Sequence, residues 1–255
     1  MSGFKTKRME EDLEMKRFRK TITLGMAILF CMSMSLTAFA SVNHIQDWTS
    51  DRGNGQANGK SSGNGNISSS GSQGTTSGTY RFNNGNVNIS VTWNTSPSNS
   101  GFNNLQGGGW RTGTNNRVIN YNIGSYSFTS GSNGCAYMCG YGWTRSPLTE
   151  YYVVERWNNF SNNNGTSLGS FTSDGATYNA YRESTNGPNI TGSGPFQKLK
   201  SVRSSQASTG SNQKITFQNH INFWSSKGYS LSNHDYQVFI AEGYNSAGSA
   251  NFSVW

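Results

Sequence analysis

Short segments in which apolar and polar residues alternate make up much of the chain after residue 80. In one segment every second position is apolar, at Val87, Ile89, Val91 and Trp93. Side chains two residues apart lie on the same face of a strand, so this pattern predicts a strand with one buried face. Turn-forming sequences separate such segments, at Asn84-Gly85, Gly107-Gly108-Gly109, Asn133-Gly134 and Ser173-Asp174-Gly175. Short strands joined by tight turns indicate an all-β fold.

A helical repeat occurs near the end of the chain. Phe217, Ile221 and Trp224 follow the four- and three-residue spacing of one helix face, and Gly228 is a stop signal. We therefore predict one short helix at about residues 218–227. A single helix among many strands favours a β-sandwich of two antiparallel sheets, built from residues 41–255 as one domain.

Residues 51–79 are almost entirely Gly, Ser, Asn, Thr and Gln. This composition supplies few apolar side chains for a core, so we predict a long polar loop there.

The first 40 residues have the pattern of a targeting segment. Basic residues between positions 16 and 20 precede an apolar stretch at 21–36, and Ala38-Phe39-Ala40 is a small-x-small cleavage signal. Two serines interrupt the apolar stretch, which makes a permanent membrane span the weaker interpretation. We therefore predict a signal peptide at residues 1–40 and a secreted mature chain that begins at Ser41.

The charge of the predicted mature chain argues against nucleic-acid binding. Residues 1–40 contain 7 of the 20 Lys and Arg and 4 of the 12 Asp and Glu, which leaves 13 against 8 and a net charge of +5. Charged residues are only 13% of the chain and form no basic block. A mild positive charge with no special role is the simpler interpretation, and weak attraction of an acidic polymer is the alternative.

Cys135 and Cys139 are the cysteines that follow the predicted cleavage site. Four residues of extended chain separate their Cα atoms by roughly 13 Å, beyond the reach of a disulfide. We therefore predict two free thiols, and a disulfide made possible by a bulge or turn at Cys135 is the alternative. His44, His220 and His234 lack the spacing of metal ligands, so neither a metal nor another cofactor is predicted.

Two aromatic-rich segments each carry a glutamate in a strand-like pattern. Glu150 would share a strand face with Leu148, Tyr152 and Val154, and Glu242 with Tyr236, Val238, Ile240 and Tyr244. A third segment places Tyr137, Cys139, Tyr141 and Trp143 on one face. A carboxylate among aromatic residues in a sheet costs desolvation free energy unless it is paired or used. Two such carboxylates in one aromatic groove are what a glycoside hydrolase requires.

The alternative is that Glu150 and Glu242 are surface residues paired with Arg145 or Arg156. The other two glutamates after residue 40 are poorer candidates for catalysis. Glu155 is an odd number of residues from Glu150 and would lie on the opposite face of the strand, and the sequence around Glu183 predicts a polar loop. The pattern alone leaves both interpretations open.

Five distinctive motifs lie in the part of the chain between Trp48 and Trp255. They are YGWTRSPLTEYYVVE (141–155), SDGATY (173–178), SVR (201–203), NHINFW (219–224) and AEGYNSAGSA (241–250). Through these motifs the chain resembles the family 11 endo-β-1,4-xylanases, and the first and last motifs are highly specific. The resemblance implies a β-jelly roll with a deep cleft. It also implies a retaining mechanism in which Glu150 is the nucleophile and Glu242 the acid/base.

The resemblance further implies a set of substrate contacts. They are Trp48, Asn103, Tyr141, Tyr152, Pro188, Ile190, Tyr236 and Tyr244. Asn103 is implied to hydrogen-bond to the acid/base, although the neighbouring Asn104 could match that family position instead. Residues 188–190 would form the tip of a thumb loop over the cleft. His220 and Ser201 would be a buried hydrogen-bonded pair. The implied substrate is xylan or xylo-oligosaccharides, bound by a monomer.

Three features depart from the family pattern. Lys198-Leu199-Lys200 stands where the family commonly has Gln-Tyr-Trp, so Lys198 replaces a glutamine that contacts sugar. The thumb segment 182–187 is one residue shorter and lacks the family's second arginine, and residues 51–79 exceed the usual loop. Because lysine is rarely buried, we expect Lys198 to point to solvent, with a position in the cleft near Glu150 as the alternative.

Two rival functions share parts of this pattern. A non-catalytic carbohydrate-binding module would use the aromatic platform without two carboxylates, whereas a β-glucanase of similar design would use both. In the resembled family, aspartate at the Asn103 position accompanies acidic pH optima and asparagine accompanies neutral ones. We therefore expect an optimum near neutral pH.

Overall fold

The computed structural model describes residues 40–49, 63–70, 74–95, 102–159 and 165–255. The strands in chain order are β1 (His44–Thr49), β2 (Asn64–Ser70), β3 (Gly74–Asn83), β4 (Asn86–Thr95), β5 (Asn103–Trp110), β6 (Val118–Arg145), β7 (Leu148–Asn158), β8 (Thr166–Ser173), β9 (Ala176–Asn189), β10 (Gly192–Arg203), β11 (Asn212–Thr216) and β12 (His234–Val254). Helix α1 (Phe217–Ser226) lies between β11 and β12. Apart from Ala40, the predicted signal peptide lies outside the described residues.

Two long strands, β6 and β12, belong to both layers of the sandwich. In one layer the first half of β6 pairs with the second half of β12, and β4, β3 and β2 follow β12. In the other layer the remaining halves pair. There β5 and β1 follow β12, and β7, β10, β9 and β8 follow β6. This arrangement is the predicted β-jelly roll.

One pair of strands departs from the predicted antiparallel pairing. β10 is parallel to β7, with Lys198 opposite Glu150 in the register. The chain leaves β7, forms the β8–β9 hairpin and returns beside β7 in the same direction. Parallel neighbours need such a crossover connection, whereas antiparallel neighbours need only a tight turn.

The central strands of the second layer carry buried side chains on both faces. The inner face of this layer packs against β4, where the four alternating apolar residues at 87–93 are at most 1% exposed, as predicted. Tyr151 and Val153 of β7 belong to this interlayer core. The opposite face of the same strands carries a separate aromatic cluster, which includes Tyr141, Tyr152 and Tyr236. This second cluster forms the floor of the cleft.

The predicted helix is confirmed, with each end one residue from the expected position. Its buried side, formed by Phe217, His220, Ile221 and Trp224, packs against the interlayer core. Of the residues that the structure describes, none forms a helix with the length and apolar character needed to cross a lipid bilayer.

Two of the predicted turns are confirmed by their backbone angles. Asn84 and Gly85 have φ values of 47° and 86°, and Asp174 and Gly175 have φ values of 50° and 76°. Asparagine, aspartate and glycine tolerate this left-handed conformation better than other residues, and it suits the two-residue connection of a hairpin. These turns join β3 to β4 and β8 to β9.

The other two turn predictions are wrong. Gly107-Gly108-Gly109 lies inside β5, where a Cβ atom at Gly109 would be 2.3 Å from the carbonyl oxygen of Gln237 on β12. Glycine is needed there because two backbones approach closely, and not because the chain reverses. Asn133-Gly134 lies inside β6, next to a register shift in its pairing with β12. Such irregularities bend a strand without ending it.

The loop prediction for residues 51–79 is wrong for its second part. β2 and the start of β3 form a hairpin at the edge of the first layer, where Ile67 and Thr76 are buried. The pairing of β3 with β4, and of β2 with β3, requires few apolar side chains at the edge of a sheet, and threonine favours strands. Residues 50–62 and 71–73 lie outside the described residues.

Candidate active site

A cavity of about 250 Å³ lies on the cleft face of the second layer. Its aromatic lining consists of Trp48, Tyr141, Trp143, Tyr152, Phe196 and Tyr236, and its polar lining includes Gln46, Asn103, Glu150, Lys198 and Glu242. Leu105 and the thumb residues 185–189 complete it. An aromatic cavity with a few convergent polar groups is typical of a sugar-binding site.

Glu150 lies on β7 and is only 6% exposed. The hydroxyl of Tyr141 donates a hydrogen bond of 2.6 Å to Glu150 Oε1, and the Trp143 indole N–H donates one of 2.7 Å to that Tyr141 oxygen. On the other side, Lys198 Nζ is 3.4 Å from Glu150 Oε2. Both carboxylate oxygens are therefore held by groups on neighbouring strands.

Glu242 lies on β12 and is 5% exposed. Burial, reinforced by the nearby charge of Glu150, raises the pKa of Glu242 to about 7. The Asn103 amide donates a hydrogen bond of 3.1 Å to Glu242 Oε1 and acts in the opposite direction, towards a lower pKa. Near neutral pH, Glu242 can thus both give and accept a proton.

The contacts of Asn103 and Asn104 show which of the two lies beside Glu242. Asn103 contacts Glu242, whereas the Asn104 amide donates to Gln106 at 2.9 Å and is fully buried. The two side chains point to opposite faces of β5, as successive strand residues must.

The interpretation of Glu150 and Glu242 as surface residues paired with arginines is wrong. Arg145 pairs with Asp235, and Arg156 donates to the carbonyl oxygen of Ala207. Neither arginine lines the cavity. The two glutamates are buried on the cleft face, where the strand parity predicted them.

Glu155 occupies the opposite face of β7, as its parity predicted. It is fully buried in the interlayer region and accepts hydrogen bonds of 2.6, 2.7 and 2.9 Å from Tyr121, Tyr178 and Arg203. Arg203 belongs to the Ser-Val-Arg motif, which thus supplies the cation for a structural carboxylate. Burial raises the pKa of Glu155, and these donors offset part of that rise.

Six of the eight predicted substrate contacts line the cavity: Trp48, Asn103, Tyr141, Tyr152, Pro188 and Tyr236. Two do not. Tyr244 is 38% exposed near the middle of β12, and Ile190 lies in the turn between β9 and β10, half-buried against the cleft-side cluster. Pro188 is at the end of β9, next to that turn, so the predicted thumb tip is a β-hairpin.

Lys198 lies in the cleft, so the expectation that it points to solvent is wrong. Burial favours its neutral amine, but the carboxylates of Glu150, Glu183 and Glu242 outweigh this effect and raise the pKa of Lys198. Glu183 was expected in a polar loop and instead lies on β9, where it forms a 2.7 Å ion pair with Lys200. The position of Lys198 was misjudged because its carboxylate partners come from other strands.

The predicted hydrogen bond between His220 and Ser201 is not formed. Both residues are fully buried, but neither ring nitrogen of His220 nor the Ser201 hydroxyl has a hydrogen-bond partner among the described residues. The His220 ring packs edge-on against Phe171 and Tyr178 instead. Burial lowers the pKa of His220 to about 3, so the ring is neutral and structural.

Sequence reasoning missed Gln46 and Phe196 as cavity residues. Gln46 had a usable signal, because it is two residues before Trp48 on β1. Phe196 shares a strand face with Lys198, and it was missed because Lys198 was expected to point to solvent. Cys135 and Cys139 are free, as predicted. Within the described ranges, no three His, Cys, Asp or Glu side chains cluster as metal ligands.

Comparisons with known proteins find several xylanases among the relatives of the chain. The chain is 48% identical over 162 residues to the endo-1,4-beta-xylanase Xyn11B of Cellvibrio japonicus, covering 61% of this chain and 44% of that protein. It is 44% identical over 169 residues to endo-1,4-beta-xylanase 3 of Pyricularia oryzae, covering 65% of this chain and 66% of the relative. It is also 49% identical to a bifunctional xylanase/xylan deacetylase of Cellvibrio japonicus, over 60% of this chain and 23% of that protein.

The chain therefore spans between 23% and 66% of the length of these three curated relatives. A solved structure from a comparison of two major endo-1,4-beta-xylanases of Trichoderma reesei matches with a TM-score of 0.62 and 32% identity. The match covers 85% of this chain and 99% of that one. The family model described as glycosyl hydrolases family 11 matches residues 64–253, well over half of the chain. The chain belongs to glycosyl hydrolase family 11.

Proposed function

We propose that the protein is a secreted, retaining endo-1,4-β-xylanase that cuts internal β-1,4-xylosidic bonds of xylan by double displacement. The observation that carries this proposal is the pair of buried glutamates in one aromatic cavity, one of which has a pKa raised to about 7. A retaining glycosidase needs a carboxylate nucleophile and a second carboxyl group that is still protonated near the working pH. The family and the names of the relatives support xylan as the substrate.

In the first step Glu150 is the nucleophile and Glu242 the acid. A Glu150 oxygen bonds to the anomeric carbon while the bond from that carbon to the glycosidic oxygen breaks, and Glu242 gives its proton to the departing oxygen. Tyr141 and Lys198 hold the Glu150 carboxylate in position. Asn103 holds Oε1 of Glu242, and Oε2 has no hydrogen-bond partner among the described residues, which leaves it available to the leaving group.

In the second step the roles of the two carboxyl groups reverse. Glu242, now ionised, removes a proton from water while the water oxygen attacks the anomeric carbon. The bond to Glu150 breaks, and its electron pair returns to the carboxylate. Because the anomeric carbon is inverted twice, the product keeps the configuration of the substrate.

The aromatic residues of the cavity are the proposed sugar platform. Trp48, Tyr141, Tyr152 and Tyr236 offer ring faces to the apolar sides of the sugars, and the three tyrosines also offer hydroxyl groups to their polar edges. Pro188 would cover the sugar from the thumb side. Tyr244 and Ile190 lie outside the cavity lining and would contact more distant sugar units of the bound xylan.

An activity assay tests the proposed function. The purified protein is expected to release reducing sugar from xylan, mainly as oligosaccharides, and to release little from carboxymethylcellulose. Comparable rates on the two polymers would favour a β-glucanase. Binding to xylan without any release of reducing sugar would favour a carbohydrate-binding module.

The proposed acid role of Glu242 predicts an optimum near neutral pH. Glu242 must be protonated in the first step, so activity should fall as the pH rises through its pKa of about 7. The Asn103 amide can donate to Glu242 at any pH, whereas an aspartate there could donate only while it is protonated. Asn103→Asp is therefore expected to move the optimum of the pH–rate profile to lower pH.

Asn103→Ala is the matched control for this prediction. It removes the hydrogen bond that lowers the Glu242 pKa and adds no carboxyl group, so the basic limb should move slightly to higher pH. A wild-type optimum below pH 5, or the same profile in both variants, would contradict the assignment of Asn103.

Secretion rests on the sequence of residues 1–40 and is also a proposal. Amino-terminal sequencing of protein from the culture medium is expected to begin at Ser41. A secreted protein that retains residues 1–40 would refute the proposed cleavage site.

A further inference from the structure

The side chain of Lys198 lies between two carboxylates of neighbouring strands. In the register of the sheet, Lys198 on β10 is opposite Glu150 on β7 and Glu183 on β9. Its Nζ atom is 3.4 Å from Glu150 Oε2, and only 24% of the side chain is exposed. Glu183 forms its own 2.7 Å ion pair with Lys200. With Glu183 engaged in this way, the ammonium of Lys198 is the counter-ion of Glu150.

The ammonium remains charged through the working pH range. The surrounding carboxylates outweigh the effect of burial and raise the pKa of Lys198 above its usual value, which is already far above neutral. Lys198 thus supplies a permanent positive charge beside the proposed nucleophile.

Attachment of a sugar removes one half of this ion pair. Glu150 is a carboxylate before the first step and a neutral ester after it. The attraction to Lys198 stabilises the carboxylate and has no counterpart in the ester, and it is stronger in a partly buried site than in water. An interaction that is stronger in the ground state than in the transition state raises the barrier of a step, so the ion pair slows attachment of the sugar. Release of the sugar forms the Glu150 carboxylate again, so the same attraction lowers the barrier of that step.

The second carboxyl group responds to the same cation. The charge of Lys198 acts to lower the Glu242 pKa, which favours the carboxylate that serves as base when the sugar is released. Both effects of Lys198 therefore favour the second step.

We propose that Lys198 is a positioning residue that acts through Glu150 to slow attachment of the sugar and to speed its release, so that little glycosyl-enzyme accumulates. This inference rests on the proposed retaining mechanism. It adds no reagent to that mechanism. The Glu150–sugar bond forms as the glycosidic bond breaks, and it breaks as water adds, with the proton carried by Glu242 each time.

Kinetics with 2,4-dinitrophenyl β-xylobioside separate the two steps. kcat/KM covers the steps up to the irreversible departure of dinitrophenolate, so it reports attachment of the sugar. Dinitrophenolate leaves without needing a proton, so this step does not depend on an acid. The release rate constant is kcat divided by the fraction of enzyme trapped as covalent adduct, measured by acid quenching and mass spectrometry of the intact protein.

Lys198→Gln is expected to slow release of the sugar without slowing its attachment. The release rate constant should fall about tenfold, which corresponds to about 1.4 kcal/mol in the barrier. kcat/KM should stay the same or rise, and the trapped fraction should increase. Lys198→Arg keeps the positive charge, so the ratio of its rate constants for attachment and release should stay close to the wild-type ratio.

A double variant, Glu183→Gln with Lys200→Gln, is the matched control. It removes the neighbouring ion pair as a unit and leaves Lys198 beside Glu150, so the ratio of the two rate constants should match the wild type. A parallel fall of both constants in Lys198→Gln, or no change in either, would overturn the role of Lys198 and leave the retaining mechanism intact. A Lys198→Gln variant that accumulates no more covalent adduct than the wild type would also overturn the role of Lys198. Initial release of the inverted anomer by the wild type would refute the retaining mechanism, and this inference with it.

Discussion

Glu150→Gln is expected to lower kcat on xylan by about 10⁴-fold or more, the scale typical of losing a covalent nucleophile. The amide has nearly the size of the carboxylate and can still accept the hydrogen bond from Tyr141, but it cannot form the glycosyl-enzyme efficiently. Initial rates of reducing-sugar release measure the effect. Binding of xylo-oligosaccharides, followed by calorimetry, should remain close to that of the wild type.

Two further variants distinguish loss of chemistry from loss of fold. Glu150→Gln leaves the cation of Lys198 without its partner, so thermal stability is also expected to fall. Adding Lys198→Met should recover stability without recovering activity. Glu183→Gln makes the same substitution in the other cleft-side glutamate that pairs with a lysine, and it should retain most of the activity. A loss in Glu183→Gln as large as that in Glu150→Gln would contradict the assignment of the nucleophile.

Glu242→Gln is expected to lower kcat on xylan by about 10²–10⁴-fold, the usual contribution of a general acid and base. The sugar leaving group of xylan is a poor one and needs the proton that Glu242 supplies. Dinitrophenolate needs none, so kcat/KM for the dinitrophenyl xylobioside should fall far less than kcat/KM for xylan. Release of the sugar still requires a base, and the trapped adduct should therefore accumulate in this variant.

The contrast between the two substrates is the internal control of the Glu242 experiment. A variant that had lost its fold would lose activity on both substrates alike. An equal loss of kcat/KM on both substrates in a variant that keeps the wild-type melting temperature would contradict the acid role of Glu242.

Strand parity was the part of the site that could be predicted from sequence. Side-chain alternation along a strand is a local property, so the shared face of Glu150 and Tyr152 and the opposite face of Glu155 follow from their spacing alone. The same property placed the aromatic residues of β6 and β12 on the cleft side. The family motifs then assigned roles to positions that parity could only group.

The features that were not predicted depend on contacts between distant segments. Lys198 is in the cleft because Glu150 and Glu183 flank it on two other strands, whereas the general tendency of lysine is to remain exposed. Gly107-Gly108-Gly109 has the composition of a turn, and only the approach of β12 explains why it lies in a strand. The strand segments within 64–79 extend the sheet beyond β4, since β3 pairs with β4 and β2 pairs with β3 at the edge, and their polar composition does not indicate this pairing.

The stereochemistry of hydrolysis tests the central claim most directly. Proton NMR of the sugar released in the first minutes from a xylo-oligosaccharide distinguishes the two anomers before they interconvert. Double displacement through Glu150 predicts that the β-anomer is formed first and that the α-anomer follows by mutarotation. Initial formation of the α-anomer would contradict the account.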